Sequence, residues 1–329
     1  MLRVSLPFGF PKPRLVEAGD VTFSVHEAGP EDGLPVLMLH GWPELAFSWA
    51  PLVPALTEAG CRLIMPDLKG FGGSSKPEDP AAYRMETLTG DFGRLLDALR
   101  IEKAVFVGHD WGGAIIWPLA QRLAERGLGV ASFCTPYPEI APAPPLSIMR
   151  KRFGERFYIM QFQDAELPDQ AFGGKEERFF PFIFRPGPER ERWGELMPGV
   201  MALPDRFAEW DGNGADAVMP PEALAVYAEA YAASGHRTPT MVYRAIDTHW
   251  EERKRFDAPI TMPALMVTAS RDLMLPPEAS LGMEERIADL SRAELDSGHW
   301  VTWEAPGPAA EALLGWLRAK TLLPSDPQQ

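Results

Sequence analysis

The sequence predicts an α/β protein, a mostly parallel sheet flanked by helices with a helical insertion late in the chain. Short apolar runs alternate with helical stretches as far as residue 134, and that alternation calls for parallel strands joined by right-handed crossovers. From Pro136 to about Thr240 the texture changes to prolines, glycines and aromatics with no clear strand. The alternating pattern then resumes at Pro263.

Each element follows from local pattern. Val21 to His26 alternates loosely, Gly29-Pro30-Glu31-Asp32-Gly33 turns the chain, and Pro35 to Leu39 is almost wholly apolar. These read as a strand pair entering a sheet covered on both faces. Ala46 to Ala59 reads as a helix interrupted by prolines, and Cys61 to Met65 as another buried strand. The loop Pro66 to Ser75 is glycine-rich, but it lacks the Gly-Lys-Ser/Thr ending of a P-loop and does not match GxGxxG, so it is not read as a phosphate site. Thr87 to Leu99 carries Leu88, Phe92, Leu95, Leu96 and Leu99 on one helical stripe. Ala104 to Val107 and Val130 to Cys134 are strands, separated by a helix in which Pro118 should remove the hydrogen bond to the Ala114 carbonyl. Within the insertion, Leu146 to Phe162 and Pro221 to Ala233 look helical. Pro263 to Ala269 and Arg292 to Leu295 are the last strands, with helices expected at Pro277 to Ile287 and Ala309 to Lys320. The domain boundaries expected are core 1–137, helical cap 138–242 and core 243–329.

Composition narrows the function classes. The chain has 329 residues, is 46% hydrophobic and 24% charged, and carries a net charge of −14. Acidity of that size argues against nucleic acid or an anionic membrane surface as partner. No secretory leader pattern and no run of apolar residues long enough to span a bilayer is present, which leaves the cytoplasm as the expected location. The two cysteines, Cys61 and Cys134, sit in apolar runs and read as buried thiols.

Between the strand at Ala104 and its helix lies Gly108-His109-Asp110-Trp111-Gly112-Gly113. Strand, tight turn with small residues around a polar one, then helix is the nucleophile elbow of the α/β-hydrolase fold, here with Asp110 where serine is usual. Ligands in such sheets bind beyond the carboxyl ends of the strands. Two more strand ends supply partners, Asp272 in Thr268-Ala269-Ser270-Arg271-Asp272 and His299 in Ser297-Gly298-His299-Trp300. Nucleophile, acid, histidine is the chain order of the triads of this fold. Glu139, just after the sixth strand, is a weaker candidate for the acid.

An aspartate nucleophile attacks without a base and suits displacement at a saturated carbon, leaving an alkyl ester. A neutral His299 oriented by Asp272 can then take a proton from the water that hydrolyses the ester. The oxyanion formed calls for donors, each worth about 3 kcal/mol; the backbone N–H groups of Trp111 and of Trp42, in His40-Gly41-Trp42-Pro43, are the natural pair. His40 and His109 read as loop supports.

The insertion contains Phe157-Tyr158-Ile159-Met160-Gln161-Phe162-Gln163-Asp164-Ala165-Glu166, and later Ser234-Gly235-His236-Arg237-Thr238-Pro239 and Met241-Val242-Tyr243-Arg244. These motifs resemble the cap of the soluble epoxide hydrolases, as do His40-Gly41-Trp42-Pro43-Glu44, the Asp110 elbow, Pro263 to Ala269 and Gly298-His299-Trp300 in the core. The resemblance runs from about Phe23 to the last helix. It implies an epoxide hydrolase that needs no cofactor or metal, acting on a small-molecule epoxide and water. It also implies that Tyr158 and Tyr243 hold and protonate the epoxide oxygen. Phe is often found in the family where Trp42 stands, a change that leaves the backbone donor intact. Tyr83, Tyr137, Tyr227 and Tyr231 are read as packing residues, and Trp193, Trp210, Phe179, Phe180 and Phe182 suggest an apolar substrate environment.

Two alternatives remain. A haloalkane or haloacid dehalogenase shares the elbow and the triad, and the indole N–H groups of Trp42 and Trp111 could bind halide. A non-catalytic small-molecule receptor is the alternative outside enzymes, although every catalytic element is retained. A serine esterase is weaker, because no serine occupies an elbow.

Overall fold

The computed structural model describes residues 6–212 and 217–324. Eight strands form one sheet: β1 (Arg14–Ala18), β2 (Val21–Ala28), β3 (Leu34–Leu39), β4 (Cys61–Pro66), β5 (Ala104–His109), β6 (Gly127–Phe133), β7 (Ala264–Ala269) and β8 (Leu290–Leu295). Their spatial order is β1-β2-β4-β3-β5-β6-β7-β8. Pairing is parallel from β4 through β8, whereas β2 runs antiparallel to both β1 and β4. The expected pairing of the first two strand segments is therefore wrong. β4 crosses over and lies between β2 and β3, so the turn at Gly29 to Gly33 is not a hairpin. β1 escaped the sequence reading because it is an edge strand with only two buried positions, and an edge needs no apolar alternation.

The central parallel strands β3, β5, β6 and β7 are largely apolar because helices cover both faces, whereas the edge strand β8 carries Ser291, Arg292 and Glu294. Val36 to Leu39 and all of β5 are buried. In the first half of the core the helices are α1 (Val53–Glu58), α2 (Met85–Ala98) and α3 (Trp111–Arg122). α3 continues through Pro118 rather than ending there. The final strand leads to α13 (Val301–Glu304) and α14 (Pro306–Ala319).

Between β6 and β7 the described chain is helical: α4 (Pro145–Phe153), α5 (Tyr158–Gln161), α6 (Leu167–Phe172), α7 (Glu176–Ile183), α8 (Trp193–Met201), α9 (Leu203–Glu209), α10 (Pro221–Ser234), α11 (Met241–Arg244) and α12 (Ile246–Arg255). Two expected helices are broken. Leu146 to Phe162 divides at Gly154, whose φ of 79° ends α4 and re-aims the chain so that Tyr158 opens a new helix. Pro277 to Ile287 is two single 3-10 turns separated by left-handed Gly282. Phe179, Phe180 and Phe182 are buried within the insertion's own aromatic core. No helix among the described residues is long and apolar enough to cross a membrane.

Candidate active site

The strands β3, β5, β6, β7 and β8 are sheet neighbours, so the loops at their carboxyl ends converge. Those loops carry Trp42, Asp110, Thr135, Asp272 and His299. Asp110 has φ 49° and ψ −119°. This is the sharp strand-to-helix turn in which a non-glycine residue carries about 1–3 kcal/mol of strain. The turn survives because its neighbours over-determine it. The Thr135 hydroxyl donates to the Asp110 carbonyl at 2.8 Å, and the Ala114 N–H donates to the same oxygen at 2.9 Å. A side chain at Gly112 would collide with the Leu39 carbonyl, so only glycine lets the elbow pack against β3.

The turn points the Asp110 carboxylate into a nest of donors. Trp42 N–H donates to Asp110 Oδ1 at 2.7 Å, and Trp111 N–H also hydrogen-bonds the carboxylate. The two N–H groups expected to hold an oxyanion thus lie on the aspartate itself. Oδ2 is 3.7 Å from His299 Nε2. On the far side of that ring, Nδ1 donates to Asp272 Oδ2 at 2.7 Å. Asp272 is fully buried, and its Oδ1 accepts the Met274 and Leu275 N–H groups at 2.9 Å each. One oxygen of Asp272 thus caps the turn that follows β7 and the other holds the His299 ring. Glu139 is exposed and no hydrogen bond joins it to His299 among the described residues.

Burial and charge set the protonation states. Burial raises the Asp110 carboxyl above the usual range, against the pull of His299, His109 and the two N–H donors. For Asp272 burial acts in the same direction, but the His299 charge and the hydrogen bonds outweigh it and lower the carboxyl. Burial opposes the His299 imidazolium, yet the carboxylates of Asp272, Asp110 and Glu44 overcome that and raise it to about 9. That value belongs to the site with Asp110 as a free carboxylate, whereas the neutral His299 expected from sequence concerns the later step in which an ester has removed that charge.

Above the carboxylate stands an aromatic box. Tyr158 and Tyr243 have ring centroids 5.8 Å apart at 77°, and Trp42 lies 6.3 Å from Tyr158 and 5.9 Å from Tyr243. Trp111 meets Tyr243 edge-on at 4.9 Å, and its indole N–H hydrogen-bonds the Tyr243 hydroxyl. Burial and then the Asp110 charge push Tyr158 upward; burial, the neighbouring Tyr158 and Asp110 do the same for Tyr243. Both stay phenols, able to donate.

The family model for the alpha/beta hydrolase fold matches residues 35–183. Epoxide hydrolase A of Mycobacterium tuberculosis (strain ATCC 25618 / H37Rv) is 36% identical over 318 residues, covering 94% of this chain and 98% of that protein. The chain belongs to the epoxide hydrolases of the α/β-hydrolase fold. Bifunctional epoxide hydrolase 2 of Mus musculus is 33% identical over 89% of this chain, which spans 53% of that longer protein. The crystal structure of Epoxide Hydrolase A from Mycobacterium thermoresistibile superposes with a TM-score of 0.84 at 32% identity, covering 94% of this chain and 98% of that one.

In this epoxide hydrolase, sequence reasoning overlooked the residues that hold the site from behind. Glu44 Oε2 accepts the Gly41 N–H at 2.7 Å and binds His109 Nδ1 at 2.8 Å. His109 Nε2 in turn donates to the His299 carbonyl at 2.8 Å. Burial raises and the imidazoles of His109 and His40 lower the Glu44 carboxyl, which settles at about 2. The oxyanion loop and the catalytic-histidine loop thereby share one buried support. Glu304 is the second support: its carboxylate accepts the N–H groups of Gly298 at 2.8 Å, Trp300 at 3.1 Å and Gly187 of the insertion at 3.2 Å. Glu44 stood inside a quoted motif, but no local pattern marked Glu304.

His109, Cys134 and His299 bring ligand-type atoms within 4.8 Å of one another. Both His109 nitrogens are committed to Glu44 and the His299 carbonyl, and His299 Nδ1 is committed to Asp272. The glycine-rich loop is likewise closed on itself, with the Gly73 N–H donated to Asp67 Oδ2 at 3.0 Å.

Proposed function

We propose that the enzyme converts an apolar epoxide and water to a vicinal diol through an alkyl ester on Asp110. Asp110 Oδ2 attacks one epoxide carbon and the C–O bond of the ring breaks. Tyr158 and Tyr243 hold the departing oxygen, and one of them transfers its proton to the alkoxide. Oδ1 becomes the ester carbonyl oxygen and already rests on the Trp42 N–H, with the Trp111 N–H beside the same carboxylate. Water then attacks that carbonyl as His299 Nε2 takes its proton, and the oxyanion develops on Oδ1, where the donors are preorganised. Collapse releases the diol and restores the carboxylate. His299, charged in the free site, gives its first proton to the tyrosinate once alkylation has removed the Asp110 charge, and the proton it then takes from water restores that charge.

The observation that carries this reading is the tyrosine pair facing Asp110. An epoxide oxygen leaves as an alkoxide and needs a proton, whereas a halide needs free N–H groups. The Trp111 indole N–H is taken up by the Tyr243 hydroxyl while the Trp42 indole N–H is buried without a partner, so the tyrosine pair and not the indoles separates the epoxide reading from the dehalogenase. We assign residues 138–242 as the cap, which brings Tyr158 over the core, with Tyr243 at the return.

The test is a single turnover in ¹⁸O-water with the epoxide in deficit. The diol's new oxygen should come from Asp110 and the label should enter that carboxylate; label appearing directly in the diol defeats the covalent ester. Halide release from chloroalkanes without diol formation from any epoxide would replace this reading by the dehalogenase. Absence of any turnover would favour a receptor.

A further inference from the structure

Past the end of α7 the insertion continues as a short strap, Phe184-Arg185-Pro186-Gly187-Pro188-Glu189. Its two prolines carry no N–H, so Gly187 holds the one backbone donor of the Pro-Gly-Pro triplet. That donor is spent on the core. The N–H groups of Gly187 and Gly298 donate to the same oxygen, Glu304 Oε2, at 3.2 Å and 2.8 Å. The two backbones also touch. A β-carbon on Gly187 would stand 2.3 Å from Gly298 Cα and 2.6 Å from the Arg271 carbonyl oxygen, and one on Gly298 would stand 2.3 Å from the Gly187 nitrogen. Backbone cannot yield as the end of a flexible side chain can, so close approach is what demands glycine at both positions.

The places touched have chemical meaning. Arg271 immediately precedes Asp272, and Gly298 immediately precedes His299. Gly187 therefore abuts both loops whose side chains make the 2.7 Å bond between Asp272 Oδ2 and His299 Nδ1. The ends of the strap are tied to the same loops. Trp300 Nε1 donates to the carbonyl of Ile183, the last residue of α7, at 3.0 Å, and the Trp300 ring meets Phe184 edge-on at 4.6 Å. Glu189 lies 3.7 Å from the Arg271 guanidinium. Tyr158 and Tyr243 sit on other segments, α5 and α11.

We propose that Gly187 is a positioning residue for the Asp272–His299 pair, so that the insertion serves ester hydrolysis as well as ring opening. The kinetic side of the proposal rests on the covalent-ester reading; the positioning itself does not. Bulk at Gly187 either displaces Arg271 and Gly298 or lifts the strap and frees the histidine loop from its outer wall. Both outcomes lengthen or tilt the Asp272–His299 bond, and a charge-assisted hydrogen bond weakens steeply with poor geometry. Asp110 and the tyrosines lie outside the contact, so ring opening keeps its machinery.

The experiment follows His299 by NMR titration of the free enzyme, and each half-reaction by single-turnover kinetics, in wild type, Gly187→Ala and Trp300→Phe. The titratable groups facing the ring are Asp272, Asp110, Glu44 and His109, and none of them is altered. The wild-type imidazole should titrate at about 9. In Gly187→Ala the midpoint should fall by about one pH unit, because a bond to the charged form has weakened. Ester hydrolysis should slow about tenfold while ring opening changes by no more than about twofold, so the ester accumulates on Asp110. Trp300→Phe adds no bulk, keeps an aromatic ring against Phe184 and removes the tie to Ile183. It should move both readouts the same way by a smaller amount, and it carries the test where Gly187→Ala does not fold. A titration unshifted in both variants, or equal slowing of the two half-reactions, would overturn the assignment. A shifted titration in an enzyme that never forms the ester removes the ester reading and leaves the positioning role standing. An ester that forms and hydrolyses at wild-type rate in Gly187→Ala removes the positioning role alone.

Discussion

Trp42 and Asp110 are 68 residues apart in sequence, yet the backbone N–H of one donates to the carboxylate of the other at 2.7 Å. The bond divides the work of the carboxylate. On the proposed mechanism Oδ1 is held as the future oxyanion and Oδ2 is left facing His299, so one nucleophile would serve both steps without moving. The division depends on Gly41, where a β-carbon would collide with Asp110 Cβ and Oδ1. Gly41→Ala should therefore lower kcat by about 100-fold or more, as expected for loss of an oxyanion donor, with the thermal midpoint little changed. Retention of wild-type kcat would show that the Trp42 donor is dispensable.

The two half-reactions should separate by mutation. His299→Gln leaves Asp110 and both tyrosines intact, so ring opening proceeds and hydrolysis stalls. Mass spectrometry of the Asp110 peptide should then show the substrate's added mass. Replacing Tyr158 and Tyr243 together by Phe should instead leave the peptide unmodified, since the alkoxide has no proton donor. An ester accumulating at wild-type rate in the double variant contradicts the tyrosine assignment.

The pH dependence follows from a charge that disappears during turnover. In the free enzyme the Asp272 and Asp110 carboxylates raise His299 to about 9. Alkylation removes the Asp110 charge, so His299 loses one of its stabilising neighbours and becomes a base at lower pH. The rate of ester hydrolysis in single turnover should rise with pH to a plateau, with a midpoint below 9; a midpoint at or above 9 excludes this coupling. Stability carries the opposite sign. The folded state holds a proton that the unfolded histidine releases near pH 6.5, so this contribution is complete below about 6.5 and is lost as pH rises through about 9. Asp272→Asn should flatten the decline measured by denaturant unfolding across that window.

Glu304 holds the residues on either side of His299, accepting the Gly298 and Trp300 N–H groups. Glu304→Gln replaces an ionised acceptor of three N–H groups by a neutral amide. Hydrolysis of the ester should slow about tenfold while ring opening keeps its rate, because His299 acts only in the second step. Equal slowing of both phases in stopped-flow would indicate a general loss of structure instead.

Away from the site, the glycine-rich loop is anchored by Lys69, which pairs with buried Asp91 and donates to the Ala82 carbonyl at 2.7 Å. Lys69→Met leaves a buried carboxylate with only the partly exposed Arg94 beside it. Unfolding free energy should fall by about 3 kcal/mol. A loss below 1 kcal/mol would mean that Arg94 alone neutralises the site.

What the sequence determined by itself was local grammar and chemical identity. Buried apolar runs of strand length marked β3 to β7, because strands covered on both faces need no polar alternation. Small residues around Asp110 marked the elbow, since any bulk there meets β3. The order Asp110, Asp272, His299 named the triad, and the cap motifs named Tyr158 and Tyr243. Tertiary structure decided the rest. It placed β4 between β2 and β3, because pairing across a crossover is a choice among distant segments. It broke two expected helices at Gly154 and Gly282, where a positive φ overrode a helical pattern. Only the assembled loops put Oδ1 on the Trp42 amide and gave Glu44 and Glu304 their tasks. Only the low-dielectric interior and its gathered carboxylates charged His299, because a protonation state depends on the field of neighbours that no run of adjacent residues encodes.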